Sequence, residues 1–272
     1  FNDFKRIEIF RDFYLSLFNK DHSVGFCLNI NDDAGSKFSM FYPGSDSDFS
    51  FVHCNYLCVR TKVDVSLMLL TIHPRNPEPR KIIEVVHLLQ KGGVIVVPTD
   101  TIYAFICDIR QYRAFEKICR LKGVRPDKAN FSMMCSDLSN ISEYTKPFDR
   151  VVYKLMNRAL PGPYTFILEA GSEVPSLFRS RKKTIGLRVP DHPIIQAIIT
   201  ELGNPIISTS LHDLDSIREY PTDPFEIAET WESQVEAVVD GGTGSLVPST
   251  VIDCTGNEPA LIRAGAGDTE IF

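Results

Sequence analysis

The polar residues that follow the apolar run Val94–Val97 are the first candidates for chemistry in this chain. The run comes after a glycine pair and breaks at Pro98, and the polar residues that follow are Thr99, Asp100, Thr101 and Tyr103. Ligands of open α/β sheets gather outside the carboxyl ends of strands, so this position favours a binding site. An ordinary strand followed by a polar loop explains the same segment equally well.

A basic cluster in the next segment carries the side chains that bind phosphate oxygens. Arg113, Lys117 and Arg120 are spaced at i, i+4 and i+7, so they share one face of a predicted helix. Lys122 and Arg125 follow in a loop, where functional residues are common. Arginine supplies a planar fork of donors and lysine a compact charge. The alternative for the helical residues is a solvated helix face.

A second cluster contains a strand with an arginine among apolar residues. Thr184, Gly186 and Arg188 alternate along this strand and therefore share one face, on which the glycine leaves room for a small carboxylate or phosphate. An arginine is costly to bury without a partner, which predicts a ligand or a salt bridge. The strand is preceded by a basic run that includes Arg181, Lys182 and Lys183.

Hydroxyl groups and one further arginine come late in the chain. Ser208-Thr-Ser210 ends a predicted strand, Pro248-Ser249-Thr250 precedes another, and Arg263 stands before flexible glycines, an arrangement that suits closure over an anion. Hydroxyl triplets are also frequent in turns. No Ser-His-Asp set has supporting context, and Cys107, Cys119, Cys135 and Cys254 lie in apolar segments typical of a core.

Composition limits the class of protein. The chain has 272 residues, of which 43% are hydrophobic and 24% charged, as in ordinary globular proteins. No apolar run is long enough to span a bilayer, so no membrane partner is expected. Seven cysteines without C-x-x-C pairs predict a reducing, cytoplasmic setting and no metal site. The net charge of −6 argues against general affinity for nucleic acid, although a local basic patch could bind RNA.

The elements that must position these residues begin at Met68. Residues 1–67 are predicted to be an N-terminal extension that is poorly ordered or not native, and 68–272 the folded domain; the alternative is a small genuine N-terminal domain. The periodicity predicts helices over 78–90, 112–121, 149–160 and 193–202, and one more that begins at Asp223-Pro224. It predicts strands over 94–97, 103–107, 131–135, 164–168, 184–189, 206–208, 237–239, 250–253 and 261–263. This alternation predicts a twisted, mixed α/β sheet.

The order of motifs from Leu69 to Phe272 resembles the YrdC-like superfamily, and within it the YciO-type branch. The motifs are Pro98-Thr-Asp-Thr-x-Tyr103, Lys122-Gly-x-Arg-Pro-x-Lys128, Pro161-Gly-Pro-Tyr-Thr-Phe-Ile-Leu168, Thr184-Ile-Gly-Leu-Arg-Val-Pro190, Ser208-Thr-Ser210, Pro248-Ser-Thr-Val-Ile-Asp253 and Arg263-x-Gly-x-Gly-Asp268. The resemblance implies a YrdC-like α/β fold with a large concave, basic groove. It also implies a link to threonylcarbamoyladenosine, a modified base of some tRNAs.

Synthases of this superfamily join L-threonine, bicarbonate and ATP into threonylcarbamoyl-AMP and release pyrophosphate. The resemblance implies ATP as a substrate, with Mg²⁺ allowed and no tightly bound cofactor. Carried over by motif, the residues that contact threonine are Thr101, Thr184, Arg188 and Ser249. Those that contact ATP are Arg125, Asn130, Ser208 and Arg263, and Lys122 and Arg125 are the catalytic pair that holds the phosphates.

Four positions depart from the synthase pattern and fit the YciO-type branch. Lys122 and Arg125 are separated by two residues, where the synthases have one residue between the lysine and the arginine. An asparagine, a glycine and a histidine are expected at the positions of Ser210, Ala104 and Cys135. A protein that binds tRNA or double-stranded RNA without synthase activity is therefore the alternative. RNA helices are recognised through phosphates, hydroxyls and shape. The candidates for that contact are Arg113, Lys117, Arg120, Arg181, Lys182 and Lys183.

Overall fold

A computed structural model describes residues 68–139, 141–175, 183–211 and 220–271. The predicted extension over 1–67 lies outside the described residues, as do Arg181 and Lys182. No helix within the described ranges combines the length and the apolar character needed to cross a bilayer.

The described residues form ten strands and six α-helices in an order close to the predicted one. The strands are β1 (Met68–Thr71), β2 (Ile95–Val97), β3 (Ala104–Asp108), β4 (Ser132–Met134), β5 (Tyr164–Glu169), β6 (Thr184–Arg188), β7 (Ile206–Ser210), β8 (Ala237–Asp240), β9 (Thr250–Asp253) and β10 (Ala260–Arg263). The helices are α1 (Pro79–Gln90), α2 (Tyr112–Leu121), α3 (Ile141–Tyr144), α4 (Arg150–Ala159), α5 (Pro193–Leu202) and α6 (Pro224–Trp231).

All ten strands belong to one mixed sheet with the order β1-β8-β2-β3-β7-β4-β6-β5-β9-β10. Four neighbouring pairs are parallel (β1/β8, β2/β8, β4/β6 and β5/β9), and the other five are antiparallel. The prediction of a mixed α/β sheet is therefore confirmed. Strands that are distant in the sequence become neighbours, which brings the motifs together.

Helix ends follow from a few residues. Gly92 and Gly203 lie just beyond α1 and α5 with φ of 85° and 73°, a conformation that glycine adopts without steric cost. Proline opens both helices, where its missing N–H costs no hydrogen bond. The carboxylate of Asp223 caps α6 by accepting a hydrogen bond from the Phe225 N–H at 2.9 Å. These ends match the predicted helices.

Each face of the sheet carries a different set of apolar side chains, because successive residues of a strand point in opposite directions. On one face, residues such as Phe105, Met133 and Leu187 pack against α2, α4 and α6 in the larger core. On the other face, residues such as Ile106, Met134 and Ile206 pack beneath α1 and α5, which also pack against each other.

The two helices on this second face leave part of the sheet uncovered. The ladder register places Ile167, Gly186, Ser132 and Ser208 side by side in a row that crosses β5, β6, β4 and β7. The next residue of this row, Ile106, is already in the apolar core of the second face. A surface of small and hydroxyl side chains therefore continues directly from the helix-covered half of this face.

One strand boundary differs from its prediction in a way that matters for the site. β7 extends to Ser210, whereas the pattern predicted an end at Ser208. The extension arises because Ser208, Thr209 and Ser210 pair with Ile106, Phe105 and Ala104 of β3. The hydroxyl triplet is thus part of the sheet instead of a turn that follows it.

Candidate functional site

The uncovered half of the sheet is the floor of a cavity of about 640 Å³, here called the cleft. Its walls come from the loop before β4, the end of β7 and the segment around β9 and β10. The residues that line it include Asp127, Lys128, Asn130, Phe131, Ser132, Thr165, Thr184, Gly186, Arg188, Ser208, Ser210, Tyr220, Ser249, Asp253 and Arg263. Hydroxyl, amide and charged groups thus converge on a concave surface, as in ligand-binding sites.

Arg188 is the most deeply buried charged group of the cleft. Its Nη2 donates hydrogen bonds to Asp100 Oδ1 at 2.6 Å and to Thr101 Oγ1 at 3.1 Å. The side chains of Arg188 and Asp100 are 8% and 7% exposed, so the two form a buried ion pair. The arginine predicted to need a salt bridge or a ligand has a salt bridge.

The guanidinium of Arg188 is only partly satisfied by this pair. Its Nε is buried without a hydrogen-bond partner among the described residues. Burial lowers the pKa of Arg188, Asp100 opposes that shift and the nearby Arg263 adds to it. An arginine normally remains charged despite such shifts, and a buried donor without an acceptor is costly. An anionic or carbonyl oxygen from a ligand would relieve that cost.

The turn after β2 holds the partners of Arg188 in place. Thr99 Oγ1 accepts a hydrogen bond from the Thr101 N–H at 3.1 Å and donates one to the Ile102 carbonyl at 2.7 Å. The phenol of the buried Tyr103 donates to the Gly242 carbonyl at 2.7 Å, which ties the turn to a second loop. The Pro-Thr-Asp-Thr-x-Tyr segment is thus a rigid support for one end of the cleft.

Ser249 and Arg263 meet at the opposite wall. The hydroxyls of Ser249 and Thr165 lie 2.8 Å apart, and Nη2 of Arg263 donates to the Ser249 carbonyl at 2.8 Å. A Cβ at Gly265 would lie 2.2 Å from the Pro248 carbonyl oxygen, so the chain after Arg263 can approach this strand only with glycine there. This close approach explains why Arg263 faces the cleft.

Most of the predicted substrate-binding residues meet in the cleft. Asn130, Thr184, Arg188, Ser208, Ser249 and Arg263 line it, and Thr101 is bonded to Arg188. Arg125 does not line it; its Nε and Nη2 donate to both carboxylate oxygens of Asp127, at 3.0 and 2.9 Å. Lys122 is the C-terminal cap of α2 and is also not a lining residue. The catalytic roles of these two residues stay predictions.

The residues predicted to contact RNA lie in several environments. Arg113 and Arg120 are exposed on α2, and Lys183 is exposed before β6. Lys117 Nζ forms an ion pair with Glu236 Oε1 at 2.7 Å, so its charge is partly compensated. The cleft itself is lined by acidic as well as basic residues. Its basic character and RNA binding therefore stay predictions.

The remaining expectations from the sequence concern the four cysteines and a metal site. Burial raises the pKa of Cys119 to about 11 and those of Cys135 and Cys254 to about 12, and it also raises that of Cys107. Thiols with raised pKa values are poor nucleophiles. All four cysteines are buried, which confirms the prediction that they lie in the core. Among the described residues, no cluster of three or more His, Cys, Asp and Glu side chains is arranged to hold a metal ion.

Several lining residues were not singled out from the sequence. Ser132 lies opposite Gly186 and Ser208 in the ladder, Thr165 reaches Ser249, and Asp253 lies opposite Ile167. Alternation along β4 and β5 was the available signal, but it could not say which face of each strand is uncovered. Asp100 was named among the candidate polar residues after β2, but its ion pair with Arg188 was not predicted.

Comparison with known proteins places these observations in a family. Residues 87–265 match the Sua5_yciO_yrdC family, described as telomere recombination. The chain is 46% identical over 202 residues to YciO of Escherichia coli (strain K12), an uncharacterized protein, which covers 74% of this chain and 97% of YciO. It is 32% identical over 205 residues to the threonylcarbamoyl-AMP synthase of Bacillus subtilis (strain 168), which covers 75% of this chain and 57% of that enzyme.

Solved structures show the same relationship. The crystal structure of E. coli YciO superposes with a TM-score of 0.71 at 43% identity and covers 76% of this chain and 99% of that one. Sua5 of Pyrococcus abyssi complexed with L-threonine superposes with a TM-score of 0.66 at 26% identity and covers 73% and 57%. The family match and these relatives show that this protein belongs to the Sua5/YciO/YrdC family.

Proposed function

We propose that the cleft binds L-threonine and ATP and that the protein forms threonylcarbamoyl-AMP from them and bicarbonate. The observation that carries this proposal is Arg188, a buried guanidinium at the floor of the cleft whose Nε has no acceptor among the described residues. A Sua5 relative of the same fold has been solved with L-threonine. The product would serve threonylcarbamoyladenosine formation on tRNA.

The threonine subsite follows from the groups around Arg188. The guanidinium pairs with the amino acid carboxylate, because hydrogen bonds between two charged groups are about twice as strong as neutral ones. The hydroxyls of Thr184 and Ser249 also line the cleft and are suited to the amino and hydroxyl groups of threonine. Gly186 leaves the space between them open.

The nucleotide is assigned to other groups that line the cleft. Arg263 supplies a guanidinium for the phosphates, while Asn130 and Ser208 offer amide and hydroxyl groups. Lys128 also lines the cleft and supplies a further charge. Mg²⁺ would accompany ATP as a part of the substrate.

The chemistry needs proximity and charge neutralisation more than a protein nucleophile. The threonine amine attacks bicarbonate, a C–N bond forms, and hydroxide leaves with a proton as water. An oxygen of the resulting carbamate then attacks the α-phosphate of ATP, and pyrophosphate leaves as the bond to the β-phosphate breaks. The buried thiol of Cys135 takes no part, because it packs in the core on the opposite face of the sheet.

The test is pyrophosphate release by the full chain. With ATP, bicarbonate and Mg²⁺ present, we expect release to require L-threonine and to saturate with it. L-serine and L-valine, each lacking one group of threonine, serve as comparison substrates, and both should be poorer. Absence of threonine-dependent release at high enzyme concentration would contradict the proposal. Salt-dependent binding of double-stranded RNA or tRNA would then be measured for the alternative function.

A further inference from the structure

Asp100 is the carboxylate that holds the buried arginine of the cleft. It lies in the turn after β2, 88 positions before Arg188 in the chain, and the 2.6 Å contact between Oδ1 and Nη2 joins them. Asp100 does not itself line the cleft, whereas Arg188 does. Asp100 therefore contacts Arg188 from outside the lining of the cleft.

The geometry of this contact divides the guanidinium into two parts. Asp100 and Thr101 both accept from Nη2, while Nε remains buried without an acceptor among the described residues. Thr101 is in turn fixed by Thr99, whose hydroxyl accepts the Thr101 N–H. The turn thus clamps Nη2 of the guanidinium and leaves Nε without an acceptor, in a side chain that lines the cleft.

Clamping one end of an arginine has a clear benefit for recognition. An unrestrained arginine has many rotamers, and ordering it on binding costs free energy. A preorganised side chain has already lost this conformational freedom, so binding does not incur that cost. A buried arginine without a carboxylate would also carry an uncompensated charge, which is strongly destabilising. Asp100 reduces both costs from a position outside the lining of the cleft.

We propose that Asp100 is a positioning residue that orients Arg188 toward the carboxylate of an amino acid bound in the cleft. This inference rests on the proposed function, because it assigns the ligand of Arg188 as the carboxylate of threonine. Asp100 acts only through Arg188 and touches neither substrate. Its loss therefore weakens amino acid binding and leaves nucleotide binding unchanged.

The decisive variant is Asp100→Asn, which keeps the size and one acceptor oxygen but removes the charge. We expect the Kd and KM for L-threonine to rise about tenfold, because a charge-assisted hydrogen bond becomes a neutral one. The KM for ATP and kcat at saturating threonine remain close to wild type. Asp100→Glu keeps the charge but displaces it by one methylene, and we expect a smaller rise in threonine KM.

A matched control is Asp108→Asn at the far end of β3. Asp108 is 3% exposed and accepts hydrogen bonds from the Arg110 N–H and from Asn204 Nδ2, both at 2.9 Å. Like the side chain of Asp100, Asp108 is buried and is not a lining residue of the cleft. This variant reports what the loss of a buried carboxylate does to stability without touching Arg188, and threonine affinity should remain unchanged in it.

Calorimetric titration with L-threonine and with ATP, together with pyrophosphate release, separates the outcomes. A selective loss of threonine affinity in Asp100→Asn supports the inference. If Asp100→Asn does not fold, the threonine affinity of Asp100→Glu is the deciding measurement. Unchanged threonine affinity, or an equal loss for threonine and ATP, overturns it and leaves the proposed function standing. Wild-type protein that binds threonine but releases no pyrophosphate defeats only the proposed function. Wild-type protein that binds no threonine overturns both.

Discussion

Arg188 carries a positive charge that the burial of its side chain disfavours. The strand around it is apolar and buried, yet the guanidinium lies against a carboxylate and reaches the cleft. Breaking a buried ion pair by removing one partner commonly costs about 3–5 kcal/mol, since the other charge is left without compensation. A change of Arg188 to alanine would therefore disturb stability and binding together, and a milder change is needed to test binding.

The substitution Arg188→Lys keeps the charge beside Asp100 but removes the fork of donors. We expect threonine KM to rise about 10- to 100-fold, because an ammonium group cannot hold Asp100, Thr101 and a ligand in fixed directions at once. Steady-state pyrophosphate release at varied threonine measures this change, and thermal unfolding checks that the variant is folded. Normal threonine saturation would refute the carboxylate-binding role.

At the opposite wall, Arg263→Ala is expected to weaken ATP binding about tenfold through the loss of a charge-assisted contact with phosphate. Arg263 is exposed, so its removal should cost little stability, although its hydrogen bonds to the Ser249 carbonyl are also lost. Titration with ATP measures the effect, and threonine titration is its internal control. Unchanged nucleotide affinity would remove Arg263 from the ATP subsite.

At the scale of elements, the cleft depends on strands that alternate between a core face and an open face. β6 shows this most clearly: Ile185 and Leu187 lie in the larger core, while Thr184, Gly186 and Arg188 line the cleft. A one-residue shift in the register of β6 against β4 or β5 would exchange these two sets. The ladder is therefore as important for the site as the side chains.

Gly186 is a position on this floor where a side chain would be tightly packed. A Cβ there would lie 3.2 Å from both Ser132 Oγ and Thr165 Cγ2, so Gly186→Ala would push on both neighbours and reduce the cleft. We expect threonine KM to rise several-fold, with a stability change of about 1 kcal/mol or less, because Gly186 lies in a strand where alanine is allowed. Denaturant unfolding and steady-state kinetics measure the two effects. Unchanged kinetics would show that the substrate does not approach β6 at this point.

For the whole molecule, the site joins segments from nearly every part of the described chain, so a ligand that binds there links them. A ligand present at 100 times its Kd stabilises the folded state by about 2.7 kcal/mol. For a protein of this size that corresponds to a rise of about 5–10 °C in Tm. We expect L-threonine to produce such a shift in the wild-type protein.

The same thermal unfolding measured on Arg188→Lys provides the comparison. At an equal threonine concentration, the shift should be several degrees smaller, because the affinity has fallen. An identical shift in both proteins would mean that threonine stabilises the protein elsewhere. D-threonine controls for a general effect of the amino acid on the solvent.

The sequence predicted the helices well because their ends depend on local residues. Pro193 and Gly203 bound α5 in the sequence as they do in the structure. The shared face of Thr184, Gly186 and Arg188 also followed from alternation alone. By contrast, the ion pair of Arg188 with Asp100 depends on the order of strands in the sheet, which no local pattern contains. Arg125 forms an ion pair with Asp127 and lies outside the lining of the cleft. This position depends on loop geometry, which no local sequence pattern contains either.

The half of the sheet that α1 and α5 leave bare has a thermodynamic consequence. Positions such as Ser132 and Ser208, at the centre of a sheet, are where an ordinary fold would bury valine or isoleucine beneath a third helix. The protein forgoes that apolar burial, and selection for stability alone would fill these positions with larger side chains. A ligand bound in the cleft would occupy the place of a missing layer, so ligand binding and folding would depend on the same surface and could not be optimised separately.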